Sequence, residues 1–211
     1  MRSGYPWVHP RRSLHLLKGW FKFRLQLQSR LNPCKLMPSQ QVQALLPSDK
    51  HPFRKCNAVL VHYTLPKGSN SEFFPAKLFH YSFCFPAVAI AQVHTIFTFS
   101  SRGSPLPSKL SRPLLYVEYF AFTATPADQP EVGMYTIQCM FIDNRDGRRS
   151  HVGSIISLLD VIHVVELIPK YGVAANREVT SETCLELYDE FYLNNFSDKE
   201  WHYMIHHDYV V

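Results

Sequence analysis

From Ala58 onward, apolar and polar positions follow one another in short runs that are typical of β-strands. These runs are rich in Val, Ile, Phe, Tyr and Thr, and Pro, Gly, Asn and Asp bound them, as they bound turns. The pattern predicts six strands, over residues 58–64, 87–92, 93–99, 114–122, 134–142 and 151–167. We expect the second and third to form one long bent strand.

The run over residues 114–122 places apolar side chains on both of its faces. Successive side chains of a strand point to opposite faces. One face therefore carries Leu115, Val117, Tyr119 and Ala121. The other carries Tyr116, Glu118, Phe120 and Phe122. This alternation predicts a strand of a small sheet whose two faces are both largely covered.

A hairpin is predicted at Asp146-Gly147, because Gly adopts a positive φ without steric cost. We therefore expect residues 134–142 and 152–158 to pair as antiparallel strands. Beyond them, residues 158–162 predict a short helical turn, and residues 163–168 predict a closing strand.

The predicted fold class is mainly β with C-terminal α. About five short antiparallel strands, with a one-turn helix before the last, favour a small SH3-like antiparallel barrel, since such a barrel closes its own edges. We assign this barrel to residues 56–172.

Residues 173–211 are acidic and predict two short helices packed on the barrel. Thr183 with Glu186, and Ser197 with Glu200, match the capping-box pattern and place helix starts near Cys184 and Asp198. Apolar residues at helical spacing predict a core-facing stripe on the first helix, formed by Leu185, Leu187, Tyr188, Phe191 and Tyr192.

Residues 1–55 form a basic, Pro-rich segment that we expect to be largely disordered. Residues 1–58 contain eleven Lys and Arg residues against the single acid Asp49, whereas residues 59–211 contain eleven against sixteen acids. One basic amphipathic helix over residues 14–31 is the only regular element that we expect there. It could contact phosphates or a membrane surface, but a solvated tail is the interpretation that we favour.

Composition excludes several classes of protein. The 211 residues are 46% hydrophobic and 18% charged, as expected for a globular core. The sequence has no Gly-rich phosphate loop. Its five cysteines are scattered, without a CxxC pair, and predict reduced intracellular thiols. No run of 18 apolar residues and no secretory h-region occur, so we expect no membrane span and an intracellular protein.

The candidate contact residues are Arg145, Arg148 and Arg149, which form a basic loop inside the predicted barrel domain. Such a loop could contact phosphates or an acidic protein tail, but a solvated hairpin tip is the interpretation that we favour. An aromatic surface could bind a peptide or a base, but core packing is the role that we favour for Tyr116, Tyr119, Phe120, Phe122 and Tyr135.

The candidate metal ligands are His202 and His206, which share one face of a helix at the i, i+4 spacing of zinc ligands. The sequence offers no third ligand at a recognisable spacing, so we favour surface histidines. Asp143, Asp146 and Asp160 could hold Mg²⁺ for phosphoryl transfer, but turn formation explains the first two. We predict no catalytic residue, no cofactor and no small-molecule substrate.

Several motifs, taken in order, are similar to one family. These motifs are residues 113–120 (PLLYVEYF), Met134-Tyr135, Asp146-Gly-Arg-Arg149, residues 163–172 (HVVELIPKYG) and residues 185–201. Over roughly residues 56–211 the chain resembles the C-terminal region of Plavaka-type transposon proteins of mushroom-forming fungi. Such proteins resemble the CACTA-like cut-and-paste transposases, whose metal-binding acidic triad lies in a domain upstream of the region matched here.

The resemblance implies a stand-alone or truncated copy of an accessory C-terminal module, and none of the triad residues can be placed on this sequence. We expect a non-catalytic interaction module that contacts DNA, chromatin or a copy of the transposase, and a nuclear location. The alternative is a fragment of a metal-dependent nuclease or transposase.

Overall fold

The computed structural model describes residues 16–49, 53–62, 88–100, 107–108, 110–144, 146–181 and 183–208, and strands dominate this part of the chain. The strands are β1 (Leu16–Trp20), β2 (Lys22–Leu25), β3 (Gln40–Leu45), β4 (Lys55–Cys56), β5 (Ala58–His62), β6 (Val88–Ser100), β7 (Leu114–Ala124), β8 (Tyr135–Cys139), β9 (Phe141–Asp143), β10 (Arg149–His151), β11 (Gly153–Ser157), β12 (Val161–Val165), β13 (Leu167–Pro169) and β14 (Glu190–Leu193). The helices are α1 (Cys184–Leu187), α2 (Lys199–Tyr203), a 3-10 turn (Leu158–Asp160) and a π-helical turn (Met204–Asp208). None of the helices within the described residues is long and apolar enough to cross a membrane.

The largest sheet is antiparallel and runs in the order β12-β5-β6-β7-β8-β14-β13. Its two longest strands, β6 and β7, each pair with two shorter strands along one edge. On β6 these neighbours are β5 and β1, and on β7 they are β8 and β11. β6 spans both the second and the third predicted runs, which confirms that they form one strand.

No sheet closes on itself within the described residues, so the predicted SH3-like barrel is not confirmed. The path through the large sheet ends in β12 and β13, which only Glu166 separates along the chain. β12 pairs with β5, whereas β13 pairs with β14. The coarser prediction, a mainly β fold with short C-terminal helices, is confirmed.

The central strands β5, β6 and β7 bury side chains on both faces. In β5, Val59 and Val61 belong to one apolar cluster, whereas Leu60 belongs to another. β7 divides as its alternation predicts, since Leu115, Val117, Tyr119 and Ala121 pack in the first of these clusters. Phe120 and Phe122 pack in the second. The sheet therefore needs a cover on each side.

Two different parts of the chain provide these covers. Trp201, Met204 and Ile205, from α2 and the turn after it, are buried in the cluster of Leu60. The cluster of Val59 is covered by the small sheet β2-β3-β4, which we call the N-terminal sheet. It contributes Phe23, Leu25, Val42 and Ala44.

The predicted disorder of the N-terminal quarter and the basic helix over residues 14–31 are wrong for the described residues from 16 onward. These residues form β1, β2 and β3. In β2, Phe23 and Leu25 turn towards the core while Lys22 and Arg24 are exposed, which is the period-two pattern of a strand with one buried face. β4 spans the predicted boundary between residues 55 and 56.

The predicted hairpin forms, but the strands that it was expected to join do not pair along their length. Gly147 adopts a φ of 78°, and β9 pairs with β10 around it. β11 pairs with β7 instead of β8. At the branch point the Val152 N–H donates to the Met140 carbonyl, and the Val152 carbonyl accepts from the Tyr119 N–H. After these two bonds, the chain pairs with β7 as β11 and no longer continues beside β8.

Both C-terminal helix starts are confirmed, but the predicted core-facing stripe on the first helix is wrong, because it includes Leu187, which is 55% exposed. α1 ends there, and residues 190–193 form β14 between β8 and β13. Phe191 and Leu193 are both buried because residues two apart in a strand lie on the same face. The cap of α2 is Asp198, whose side chain accepts a 2.6 Å hydrogen bond from the Trp201 N–H.

The N-terminal sheet is predicted to contribute to global stability. Val42 has an exposed fraction of 0%, so Val42→Ala removes two buried methyl groups and should lower the free energy of unfolding by about 2 kcal/mol. Gln41→Ala changes the exposed neighbour on the same strand and should leave this free energy within about 0.5 kcal/mol of wild type. Urea unfolding of both variants measures the difference, and equal effects would show that the N-terminal sheet does not cover the core.

Candidate functional site

Of the three arginines in the predicted basic loop, the structure describes Arg148 and Arg149, whereas Arg145 lies outside the described residues. Arg148 is 86% exposed, and its Nε lies 3.8 Å from Asp146. Arg149 places its guanidinium 4.0 Å from the centroid of the Phe141 ring, in cation–π contact. Arg148 therefore extends into solvent, whereas Arg149 rests on an aromatic ring.

Each of the three candidate acids takes part in local structure. Asp143 ends β9 opposite Arg149. The Asp146 carboxylate accepts a 3.0 Å hydrogen bond from the Arg148 N–H, and the Asp160 carboxylate accepts one of 3.0 Å from the Ser157 N–H. No group of three His, Cys, Asp or Glu residues that could hold a metal ion occurs within the described residues.

His202 and His206 do lie together, as their spacing predicts, with ring centroids 4.4 Å apart. His206 Nε2 lies 3.2 Å from the Asn195 Nδ2, and the His202 ring stacks on Phe196 at 5.5 Å. Within the part of the chain that the structure describes, no third ligand joins them. The two rings are thus close together as predicted, and a role for them as metal ligands stays a prediction.

A polar cluster that the sequence analysis did not predict surrounds Glu118 on β7. The Glu118 carboxylate lies 3.0 Å from His94 Nε2 and 3.6 Å from His151 Nδ1, and it accepts a 3.2 Å hydrogen bond from the Tyr116 hydroxyl. Arg54 Nη1 lies 2.9 Å from His94 Nδ1. The cluster brings together residues from β6, β7, β10 and the segment before β4.

The protonation pattern of this cluster follows from Arg54. A guanidinium only donates, so His94 Nδ1 must accept, and the ring proton lies on Nε2, facing Glu118. Burial alone would raise the pKa of Glu118, but the interactions with His94, His151 and Tyr116 outweigh it and lower that pKa. Because His94 Nε2 carries a proton, it cannot offer a lone pair to a metal ion. We interpret the cluster as a partly buried electrostatic link between sheets.

A second buried contact joins the N-terminal sheet to β12. The Gln40 Oε1 accepts a 3.1 Å hydrogen bond from the Val164 N–H, and the Gln40 Nε2 lies 3.1 Å from His163 Nε2. The His163 Nδ1 faces the Val164 carbonyl, and its ring stacks on Trp201 at 5.6 Å. These contacts require a neutral imidazole, with its proton on Nδ1.

Glu200 makes a third contact between the two ends of the chain. Its carboxylate accepts hydrogen bonds from the Ser29 hydroxyl, from the Arg30 N–H at 2.9 Å and from the Leu31 N–H at 3.4 Å. Although burial opposes it, this set of donors lowers the pKa of Glu200. The loop between β2 and β3 is thus held against α2.

The outward face of the N-terminal sheet is basic. Cross-strand pairing places Lys22 beside Gln43, Arg24 beside Gln41, and Lys55 beside Leu45 on the side away from the core. Lys22, Arg24 and Lys55 are all exposed. Asp49 is the one acid in residues 16–49 and 53–58. We call this surface, formed by Lys22, Arg24, Gln41, Gln43 and Lys55, the basic face.

A groove opens beside the basic face. It has a volume of about 470 Å³ and is lined mainly by apolar side chains, with Gln43, Ser48 and Lys55 as its polar lining. Phe21 and Phe53 line it and are 59% and 41% exposed. The surface thus combines cations and amide groups of the N-terminal sheet with exposed aromatic rings from the residues that precede β2 and β4.

The charge of residues 1–55 predicts a disordered tail, although the sequence also contains one signal for the basic face. Lys22 and Arg24 alternate with Phe23 and Leu25, which is the pattern of a strand with one solvent-exposed face. No local signal marks the polar cluster, because Arg54, His94 and Glu118 meet only through long-range strand pairing.

The buried thiols of this fold have raised pKa values. Cys34, Cys56, Cys139 and Cys184, the cysteines that the structure describes, are all free, and only Cys34 is exposed. Burial raises the pKa of Cys56 and of Cys139 to about 12, so both remain protonated at neutral pH.

Comparison with known proteins assigns no relative. No protein-family model matches the chain, and neither the curated proteins nor the solved structures contain a significant match.

The close packing around Tyr116 is predicted to require a glycine at position 153. A Cβ there would lie 2.7 Å from the Val117 carbonyl oxygen and 2.8 Å from the Tyr116 hydroxyl. Because the backbone cannot yield as a side chain can, Gly153→Ala should lower the free energy of unfolding by about 1–3 kcal/mol. Gly172→Ala is the matched control, since a Cβ there meets nothing within 4 Å. Similar unfolding midpoints in urea for the two variants would contradict the close packing.

Stability is predicted to fall on mild acidification because of His163. Its exposed fraction is 1%, and burial lowers its pKa although the Val164 carbonyl, Asp198 and Glu200 favour the charged form. Between this lowered pKa and the ordinary value of about 6.5, the unfolded chain binds the proton and the folded chain does not, so stability decreases as pH falls through that window. Denaturation at pH 7 and pH 5 measures the loss.

His163→Gln removes this titrating group and should flatten that pH dependence, whereas His62→Gln, at an exposed position, should leave it unchanged. If the His163 variant lost stability between pH 7 and pH 5 as steeply as wild type, His163 would not be the group responsible.

Proposed function

We propose that this protein is a non-catalytic interaction module that binds nucleic acid through the basic face of its N-terminal sheet. The observation that carries the proposal is the grouping of Lys22, Arg24 and Lys55 on one exposed sheet face. Lysine and arginine side chains on one surface neutralise phosphates and release counterions, which supplies most of non-specific nucleic-acid binding.

The distribution of charge along the chain favours this surface over others. Residues 1–58 carry eleven basic residues against one acid, whereas residues 59–211 carry eleven against sixteen. The C-terminal three quarters therefore repel a polyanion at long range, and the N-terminal sheet attracts it. The basic face, and not the Arg148 hairpin, is for this reason the primary contact in our proposal.

The biological setting that we propose rests on the resemblance to Plavaka-type transposon proteins. In that setting the module contacts DNA or chromatin, or brings a copy of the transposase to DNA, in the nucleus. The alternative, a fragment of a metal-dependent nuclease, uses the same substrate and differs by its need for Mg²⁺ or Mn²⁺.

Two double variants that remove the same charge test the proposal. Lys22→Gln with Arg24→Gln should weaken binding of a short fluorescent DNA about tenfold at low salt. It should also reduce the slope of log affinity against log salt by about 1.4 for a single strand. Arg148→Gln with Arg149→Gln should leave both nearly unchanged. Fluorescence anisotropy across a NaCl titration in EDTA measures both quantities.

The controls separate the possible outcomes. Equal losses in both double variants would show that net charge, and not the basic face, governs binding. A loss confined to the Arg148 and Arg149 variant would move the contact to the hairpin. Absence of salt-dependent binding in the wild-type chain would refute the proposed function, and cleavage that appears with Mg²⁺ would favour the nuclease.

A further inference from the structure

We propose that the groove beside the basic face binds an unstacked nucleobase, so that the protein prefers single-stranded to duplex nucleic acid. This inference rests on the proposed function and goes further, because it specifies the form of nucleic acid and the side chains that contact its bases.

The aromatic residues of the groove are exposed where burial would be the normal outcome. Phe21 and Phe53 are 59% and 41% exposed, and both line the groove. Aromatic rings on a sheet surface stack with the bases of a single strand, and every base offers a π-face for such a contact. In duplex DNA the bases are stacked on one another, so these faces are covered.

The groove has polar groups that can pair with the edge of a base. Its lining includes the Gln43 amide, among side chains that are mostly apolar. An amide both donates and accepts, so it can pair with the edges of different bases. The volume of about 470 Å³ lies within the range of small-molecule sites and can accept a base.

The cations lie where the backbone of a bound strand would pass. Gln43 lies in the groove and pairs across the sheet with Lys22, and Leu45 lies in the groove and pairs with Lys55. A base in the groove would thus have a lysine nearby on each side of β3, namely Lys22 on β2 and Lys55 on β4. This charge complementarity favours a polyanion over an apolar peptide as the occupant.

An abasic oligonucleotide separates base contacts from phosphate contacts. A single-stranded DNA of about 12 nucleotides should bind the wild-type chain roughly tenfold more tightly than its duplex or than an abasic strand of equal length. Phe21→Ala with Phe53→Ala should abolish this preference while the salt dependence remains, because all cations are retained. Phe196→Ala is a matched control, since Phe196 is also 59% exposed but lies in a different groove.

Each result decides one question. If wild-type protein binds the intact and abasic strands equally tightly, with salt-dependent affinity, the base site is refuted and the proposed function stands. An equal loss of preference in the Phe196 variant would refute the assignment to this groove. If no probe binds at low salt, the proposed function fails and the base site fails with it.

Discussion

The architecture depends on one constraint, namely that the central strands β5, β6 and β7 are apolar on both faces. Alternation sends Val59 and Leu60 to opposite sides, and the same division continues through Val117 and Phe120. A strand of this kind cannot leave either face in water without losing the burial that stabilises it. The chain meets the constraint with segments from its two ends, the N-terminal sheet on one side and α2 on the other.

Polar contacts fix the two covers in place and connect them to each other. Gln40 reaches His163, which stacks on Trp201 of α2, so one chain of contacts runs from the N-terminal sheet to the C-terminal helix. Glu200 accepts from the loop after β2, and Arg54 joins the Glu118 cluster. Since buried polar groups are costly when unpaired, these contacts favour one arrangement of the covers over others.

Local periodicity was sufficient to predict the strands and turns whose pattern lies within a short window, and it failed where only pairing with other strands decides the conformation. The long strand β6, the two faces of β7, the Gly147 turn and the 3-10 turn at Leu158–Asp160 follow from patterns that a short window contains. β14 resembles the continuation of a helix because only its pairing with β8 and β13 makes it a strand. The Glu118 cluster is invisible to such patterns for the same reason.

The high positive charge of residues 1–55 predicts a disordered tail, whereas the alternation of apolar and polar residues in β2 predicts a strand. In β2 the two properties are inseparable: Phe23 and Leu25 enter the core on one side, and this burial presents Lys22 and Arg24 on the other. The cations are therefore held at the spacing of a strand, about 7 Å apart, which suits successive phosphates better than a flexible tail does. Burial on one face of the sheet thus pre-organises the other face for binding, and the cost of ordering it is met by folding rather than by the ligand.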